Sequence, residues 1–315
     1  MKAAKKENSL FKKIDRHFEE AKYKASERKF EKHRTKAEKV IYPIIFVVFL
    51  IFALTFIIPF AWVLMNSFKS AKDYSNNFNG LPREWTFDNF IKAFTFKDQS
   101  THNFTILQML GMSIIVAGGG TIATIFFSSC AAYVVAKYRF PGRSVIFGVV
   151  IFSLIVPIVG ALPSQIQLMK TLHLDGKIIG CIFIYSGGFG MNFMLLYSFY
   201  KNLSWTYVEA AKIDGAGDFK IFFRIIMPLA KGPIIAVTIM QLIGLWNDYL
   251  TPSMFLEEKP TLAFGLKALS DKMLNTGNYT LLFATIIVTM LPIIILFCCF
   301  SKTIMENTSV GGLKG

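Results

Sequence analysis

Long apolar runs alternate with short polar segments along most of the chain. Each of six runs reaches or exceeds the ~20 residues that an α-helix needs to cross ~30 Å of hydrocarbon. The six runs are residues 41–65, 106–136, 144–169, 178–200, 231–250 and 280–302. This pattern predicts an all-α membrane protein with six transmembrane helices.

The composition agrees with a membrane location. Hydrophobic residues make up 53% of the 315 positions and charged residues only 17%, as is typical of membrane proteins. Lys and Arg concentrate in the first 40 residues, at 137–143, at 212–231 and after residue 301. With six spans these regions share one side, so the positive-inside rule predicts a multi-pass protein of the cell (cytoplasmic) membrane with both termini in the cytoplasm.

The net charge of +14 suits membrane lipid better than nucleic acid. Binding to nucleic acid would need many of the basic side chains on one soluble face, and no such face is available, whereas an anionic inner leaflet attracts basic flanks. Residues 1–40 lack the apolar core and cleavage site of a signal peptide, so we expect them to be retained. Two interpretations of this extension stay open, an amphipathic helix on the membrane and a solvated tail.

The apolar runs contain almost no ionisable side chains. Asp, Glu, Lys and Arg are absent from the depths of five runs, and Asp248 lies near the end of the run 231–250. Proton-coupled carriers place titratable groups at membrane depth, so the sequence disfavours a secondary transporter. Four uncharged side chains are candidates for lining the path of a polar solute, with hydrogen bonding between helices as the alternative role. They are Tyr185, Asn192, Trp246 and Asn247.

Motifs for nucleotide binding, hydrolysis and metal binding are missing. The sequence contains no G-x-x-x-x-G-K-[ST], no H-E-x-x-H and no G-x-S-x-G. Its four cysteines lie in apolar runs without metal-ligand spacing. We therefore expect no enzyme, and no catalytic, cofactor or metal site on this chain. ATP and Mg that drive transport would bind partner subunits.

A charged segment that contains glycines separates the fourth and fifth runs. Thr206 and Glu209 stand in the T-x-x-E spacing of a capping box, which predicts a helix start. Gly215 predicts a left-handed turn that ends this helix, and Asp218 predicts the cap of a second one. Pro228 predicts a kink where the chain re-enters the membrane.

The same segment resembles the EAA loop of binding-protein-dependent ABC permeases. The resemblance rests on EAAKIDGAGDFKIFFRIIMP at 209–228, with Glu209-Ala210-Ala211, then Gly215, then Pro228. Further motifs resemble, in the same order, those of the maltose-type carbohydrate-uptake branch of this family. They are LPREWTFDNF, AAYVVAKYRFPGR, GMNFMLLYSFY, WNDYLTPSMF and the C-terminal SVGGLKG. The resemblance implies a type I ABC importer permease fold. It covers most of residues 80–315.

The resemblance assigns roles to particular residues. Glu209 would make a polar or ionic contact with a cytoplasmic ATPase, Ala210 and Ala211 would let the helix seat closely, and Gly215 would permit the bend. Asp214 would stabilise that turn, and Pro228 closes the motif. A contact with the ATPase by a C-terminal tail is one interpretation, and a flexible end is the other. The tail residues are Gly311, Gly312 and Lys314.

The resemblance also divides the chain into regions. The expected regions are a basic cytoplasmic extension (1–40), the first transmembrane helix (41–65), an extracytoplasmic loop (66–105), a core permease domain (106–303) and a cytoplasmic tail (304–315). The core permease domain contains a cytoplasmic coupling loop (204–230) and an extracytoplasmic loop (251–279).

The function implied is that of the permease subunit of an ATP-driven importer for a sugar or oligosaccharide. Its expected partners are a second homologous permease, two ATP-binding cassette subunits, an extracytoplasmic solute-binding protein and membrane lipid, but no nucleic acid. Two alternatives stay open. One is an ABC permease for a non-sugar solute such as a polyamine or a phosphonate, and the other is a membrane sensor or scaffold without transport activity.

Overall fold

The computed structural model describes residues 35–155 and 161–309, and every regular element in this part of the chain is helical. The basic extension up to residue 34 and the tail from residue 310 lie outside the described residues. The α-helices are α1 (Lys36–Ser67), α2 (Ala71–Asn76), α3 (Asp88–Thr95), α4 (Ile106–Lys137), α5 (Arg143–Ile155), α6 (Ala161–Thr171), α7 (Ile178–Tyr185), α8 (Met191–Asn202), α9 (Thr206–Ile213), α10 (Asp218–Ile221), α11 (Met227–Leu229), α12 (Lys231–Asn247), α13 (Leu250–Phe255), α14 (Leu262–Thr276) and α15 (Tyr279–Ser309).

Three helices, α1, α4 and α15, are each long and apolar enough to cross a membrane. A fourth candidate is the pair of segments 218–229 and 231–247, between which the chain bends by 80°. The predicted span 178–200 is divided into two shorter helices, α7 and α8, whereas the predicted span 144–169 contains α5 and α6, between which residues 156–160 lie outside the described part of the chain. The expected fold class, an all-α membrane protein, is confirmed.

The chain divides into two units, residues 1–62 and 63–315, with the boundary inside α1. The described part of the first unit is the apolar helix segment that starts at Lys36. The second unit holds the remaining helices, and α4 lies at its centre, packed against α7, α8, α12 and α14. All the contacts described below lie within this second unit.

Small and hydroxyl side chains let neighbouring helices approach α4 closely. A Cβ atom placed on the buried Gly120 would come within 2.8 Å of Tyr185 and 2.9 Å of Leu245, so any larger residue would force these side chains to move. The Thr124 hydroxyl donates a 2.6 Å hydrogen bond to the carbonyl of Tyr185, the last residue of α7. These contacts explain how α7 can end inside the second unit without leaving that carbonyl unpaired.

A glycine-rich break separates α7 from α8. The glycines predict a loosened or closely packed helix here. In the structure the helix is interrupted from Ser186 to Gly190, and the φ of Gly190 is +149°. Side chains other than glycine rarely adopt that backbone conformation. Gly188 also lies against Phe127 of α4, 3.4 Å from where its Cβ would be. Both predicted effects of the glycines therefore occur together.

The 66–105 loop is held by buried hydrogen bonds. The Lys69 side chain is fully buried, and its Nζ donates to the carbonyls of Asn77 at 2.5 Å and Gly80 at 2.6 Å. Burial lowers the pKa of Lys69 below its usual value. Asn89 of α3 donates to the carbonyls of Ser67 and Lys69 at 2.9 and 2.7 Å. The loop is thus fixed to the end of α1 that belongs to the second unit.

An ion pair joins the two loops that lie at the same end of the bundle. Lys272 of α14 contacts the largely buried carboxylate of Asp98, which also accepts a 2.6 Å hydrogen bond from Ser100. Burial alone would raise the pKa of Asp98, but the hydrogen bonds from Lys272 and Ser100 outweigh burial and lower that pKa below its usual value. The 66–105 loop and the 251–279 loop are therefore tied together.

Candidate functional site

The 204–230 loop folds into short helices, as the sequence predicts, but its first cap differs. Thr206 is the first residue of α9 rather than its cap, and Glu209 makes no capping box. The amide of Thr206 instead donates a 3.3 Å hydrogen bond to Ser204 Oγ, and the two hydroxyls lie 3.0 Å apart. The predicted capping box is wrong because the chain enters the helix one residue earlier, at Trp205.

Gly215 ends α9 in the left-handed turn that the sequence predicts. Its φ is +75°, and the amide of Ala216 donates a 2.9 Å hydrogen bond to the carbonyl of Ala211, as in a Schellman motif. Asp214 is the C-cap residue, and its amide donates to the carbonyl of Ala210 at 3.1 Å. No atom lies within 4 Å of a Cβ built on Gly215, so backbone conformation rather than space favours glycine.

Asp218 does not cap α10, which corrects the second capping prediction. Gly217 occupies the N-cap position, and Asp218 is the first helical residue. Its carboxylate accepts a 2.9 Å hydrogen bond from the Tyr138 hydroxyl and lies 3.3 Å from Lys212 Nζ. Burial and the Asp218 carboxylate raise the pKa of Tyr138, so the phenol stays protonated and donates. Asp218 thus joins three separate segments.

The predicted change of direction at Pro228 is distributed over several residues. A π-helix runs from Phe222 to Ile226, and α11 then carries Pro228, which donates no backbone hydrogen bond. The 80° bend follows, at Ala230, the residue that separates the two segments. The π-helix is wider than an α-helix, and proline has no amide hydrogen. The backbone can therefore change direction here while few amide groups are left without a hydrogen-bond partner.

One face of the 204–230 loop is built into the core of the bundle. Val208, Ile221 and Ile226 are fully buried, in the same hydrophobic cluster as residues of α4 and α8. Ala211 is also buried. Burying a large aliphatic side chain stabilises by roughly 1.5–3 kcal/mol, so this loop is a rigid part of the bundle rather than a loose linker.

The opposite face presents apolar side chains to solvent. Ile213 is 86% exposed and Phe219 is 83% exposed, on either side of the Gly215 turn. Glu209 and Ala210 are exposed as well. Exposed apolar patches mark surfaces that bind other proteins, so this face is a candidate docking surface.

A cavity of about 510 Å³ lies beside α9. Its lining includes Ala210, Ala211 and Asp214, together with the cationic side chains of Lys220 and Arg224. Three of the motif residues therefore line a concave, partly charged surface. Among the described residues, no cluster of His, Cys, Asp or Glu is arranged to hold a metal ion.

Three of the four candidate path residues make side-chain hydrogen bonds within the second unit, each to a different partner. Asn192 donates a 2.6 Å hydrogen bond to Gln241, which joins α8 to α12. Tyr185 donates to Asp248 at 2.8 Å, and Asn247 donates to the carbonyl of Ile243. Trp246 lines a separate small cavity with residues of α15. Their role in a solute path stays a prediction.

Several residues of this site lie inside motifs that the sequence analysis used, but no role is assigned to them there. Tyr138, Ile213 and Phe219 are neither caps nor charged, and their positions become evident only from contacts and exposure. Phe219 and Ile213 do interrupt the polar pattern around Gly215, which is the signal that would identify them. The tail residues Gly311, Gly312 and Lys314 lie outside the described residues.

A comparison of the fold with solved structures gives a long match. The chain is similar, with a TM-score of 0.71 and 22% identity, to a chain in the crystal structure of a bacterial ABC transporter involved in the import of the acidic polysaccharide alginate. The match covers 85% of this chain and 98% of that one. At this identity the match shows the fold, that of an ABC importer permease.

Curated relatives match over most of their length. The diacetylchitobiose uptake system permease protein NgcG of Streptomyces coelicolor is 32% identical over 82% of this chain and 84% of its own. The arabinooligosaccharides transport system permease protein AraQ of Bacillus subtilis is 31% identical over 85% and 94%. The Bacillus subtilis melibiose/raffinose/stachyose import permease protein MelC is 30% identical over 90% and 99%.

A family model matches the part of the chain that contains the 204–230 loop. The model is that of the binding-protein-dependent transport system inner membrane component, and it matches residues 125–302. Together with relatives above 30% identity over most of the chain, this match shows that the chain belongs to the binding-protein-dependent transport system inner membrane component family of ABC permeases.

Proposed function

We propose that this chain is a permease subunit of an ATP-driven importer that translocates a sugar or oligosaccharide. The observation that carries the proposal is the 204–230 loop, whose buried face is fixed in the bundle core while Ile213 and Phe219 face outward. An ATPase subunit can move a membrane domain only if the region that it contacts is rigid. The sugar assignment rests on the three relatives, whose names specify oligosaccharide uptake.

The expected arrangement in the membrane follows from the distribution of basic residues. The 204–230 loop and both termini are cytoplasmic, and the 66–105 and 251–279 loops are extracytoplasmic. The partners are a second homologous permease, two ATP-binding cassette subunits and an extracytoplasmic solute-binding protein. ATP and Mg bind the cassette subunits, so this chain performs no hydrolysis itself.

The mechanism is a rigid-body exchange between two orientations of the bundle. When the ATPase subunits close on ATP, they draw the 204–230 loops of the two permeases together. Because α9 and α10 share one core with α4 and α8, their movement tilts those helices and opens the path outward. Hydrolysis then reverses the tilt and releases the solute inward.

Three groups of the loop have distinct roles in docking. Glu209 supplies an exposed carboxylate for a polar contact with the ATPase, and Ala210 allows close approach of the ATPase surface. Ile213 and Phe219 supply the apolar area, since each exposes more than four fifths of its surface. A few buried apolar anchors usually dominate the affinity of such an interface. The tail residues Gly311, Gly312 and Lys314 would add a second contact.

The proposed path for the solute is lined by uncharged hydrogen-bonding groups. The Asn192 and Gln241 side chains bond to each other at 2.6 Å and are partly exposed. A sugar hydroxyl can replace either partner of such a pair at little cost, because it both donates and accepts. Tyr185, Trp246 and Asn247 are the remaining candidates.

Co-purification from native membranes tests the assembly. Wild-type protein solubilised in mild detergent should retain an ATPase, a second permease and a solute-binding protein, identified by mass spectrometry. The double variant Ile213→Glu/Phe219→Glu should lose the ATPase and keep the second permease. Leu81→Glu is the matched control, since Leu81 is 72% exposed in the 66–105 loop, and it should keep both.

Recovery of the wild type with no ATPase, under conditions that preserve other membrane complexes, would contradict the proposal and favour a membrane scaffold. If the assembly forms but its binding protein takes no sugar, the alternative of a polyamine, phosphonate or other non-sugar solute replaces the sugar assignment.

A further inference from the structure

Helix α4 reaches from one loop region to the other. Its 32 residues, Ile106–Lys137, have a length of about 48 Å at ~1.5 Å per residue, and no proline interrupts them. One end meets the 251–279 loop, and the other meets the 204–230 loop. Specific side-chain contacts occur at both ends.

At the first end, α4 is locked onto α14. The amide of Leu262, the first residue of α14, donates a buried 2.7 Å hydrogen bond to Ser113 Oγ of α4. One turn earlier on α4, the fully buried Met109 packs so closely on Gly265 that any Cβ there would overlap the methionine sulfur. Helices α4 and α14 are therefore in direct contact, so that a movement of α14 is passed to α4.

At the other end, Lys137 holds the chain just before α9. Its Nζ donates hydrogen bonds to the carbonyl of Leu203 and, at 3.4 Å, to the carbonyl of Lys201. These carbonyls belong to the last turn of α8 and the residue that follows it, where the helix itself leaves acceptors unpaired. Lys137 thus fixes the point from which α9 begins.

The next residue, Tyr138, holds the chain just after α9. Its hydroxyl donates to Asp218 at 2.9 Å, and Lys212 of α9 lies 3.3 Å from the same carboxylate and 5.9 Å from the centre of the Tyr138 ring. The Trp205 ring meets the Tyr138 ring edge-on at 5.8 Å. Tyr138 therefore contacts the residues on both flanks of α9 and one on the helix itself.

We propose that Lys137 and Tyr138 are positioning residues through which α4 grips the 204–230 loop on both sides of α9, so that α4 carries movement of the 251–279 loop directly to the ATPase-docking surface. The inference rests on the proposed function. It identifies a route by which a loaded binding protein outside the membrane changes ATP hydrolysis inside. Packed side chains, hydrogen bonds and rigid helices of this kind can carry energetic coupling between distant sites.

The variant Tyr138→Phe removes the hydroxyl and keeps the ring contacts. We expect the reconstituted complex to retain its ATPase subunits, while the ratio of ATPase activity with and without loaded binding protein falls about five-fold or more, the low end of the usual range for coupled sites. Ser113→Ala, at the far end of α4, should lower the same ratio. Asp218→Asn, which keeps an acceptor oxygen for Tyr138, should retain more of it than Asp218→Ala.

The control is Tyr249→Phe, the same chemical change at a half-exposed tyrosine, which should leave the ratio unchanged. The double variant Tyr138→Phe/Ser113→Ala should be little worse than either single variant, because both act on one element, whereas independent defects would multiply. A full stimulation ratio in Tyr138→Phe would overturn the inference. Loss of the ATPase from that variant would overturn it too, since the phenol would then maintain the docking surface only.

The wild type separates this inference from the proposed function. If the wild-type complex carries no ATPase, or if its ATPase does not respond to the binding protein, the proposed function fails. If the wild type responds and the variants respond equally, only the role of α4 fails.

Discussion

The hydroxyls of Ser129 and Tyr200 lie 2.6 Å apart in the core of the bundle, where both residues are fully buried. This hydrogen bond joins α4 to α8 on the side of the bundle that carries the 204–230 loop. It stands among packed aromatic rings, with Tyr133 in edge contact with Tyr200 at 5.7 Å. A single polar pair thus fixes the register of the two helices that hold the candidate docking site.

The two partners of this pair should differ in their sensitivity to mutation. In Tyr200→Phe the remaining serine hydroxyl can bond to a backbone carbonyl of its own helix, so thermal stability in detergent should change little. In Ser129→Ala the tyrosine hydroxyl has no such substitute, and the stranded group should cost about 1–3 kcal/mol. Melting of both purified variants measures the difference. Equal stability of the two would contradict the assignment of this bond.

Backbone conformation at Gly215 should control coupling. Gly215→Val must place a β-branched residue at a φ of +75°, which such residues strongly avoid. We expect the complex to assemble, with ATP hydrolysis no longer matched by uptake. Gly215→Asn is the control, because asparagine tolerates this conformation, and it should keep the sugar transported per ATP near that of the wild type. Normal uptake by the valine variant would refute the role of the turn.

The Asp98–Lys272 pair should make stability depend on pH. Its folded pKa lies below the usual value, so the stabilisation is complete above the unfolded pKa and is lost as the pH falls through the folded one. Asp98→Asn should therefore lower the melting temperature at pH 7, and the difference from the wild type should begin to shrink as the pH drops below about 4 and vanish only below the folded pKa of Asp98.

The exposed Lys267–Asp271 pair on the same helix provides the control for this experiment. Asp271→Asn should have little effect at either pH, because exposed ion pairs contribute little. A deficit in Asp98→Asn that persisted unchanged at low pH would show that the carboxylate charge is not its cause.

The tip of the 251–279 loop should receive the binding protein. Glu257 and Glu258 are exposed there, next to the buried Leu256. Replacing both glutamates by serine should spare assembly and basal hydrolysis but abolish stimulation by the loaded binding protein. Glu84→Ser, an exposed glutamate of the 66–105 loop, is the control and should be stimulated normally. Undiminished stimulation of the tip variant would place the contact elsewhere.

The sequence predicts those features that depend on local chemistry. Apolar length predicts the helices that contain Ile57 and Ile286, and the left-handed turn follows from Gly215 alone. The two helices and the turn are each determined by residues that are neighbours in the sequence.

The sequence fails where a distant partner decides. Thr206 and Asp218 both have the side chain of a cap, but the path of the backbone makes each the first residue inside its helix. Asp218 then bonds to Tyr138, 80 positions away, and no local pattern encodes that distance. The glycines predict a loosened helix at Ser186–Gly190, but they do not predict that the distant Thr124 hydroxyl of α4 binds the last carbonyl of α7.

ATP-driven sugar uptake is the most direct test of the central claim. The chain, purified with its partner permease and ATPase subunits, is reconstituted into proteoliposomes, and loaded binding protein is added on the extracytoplasmic face with ATP and Mg on the other. The account predicts that labelled oligosaccharide crosses the membrane only with ATP, and that Ile213→Glu/Phe219→Glu abolishes the transport while Leu81→Glu does not. Uptake that continues without ATP, or that survives loss of both exposed side chains, would contradict it.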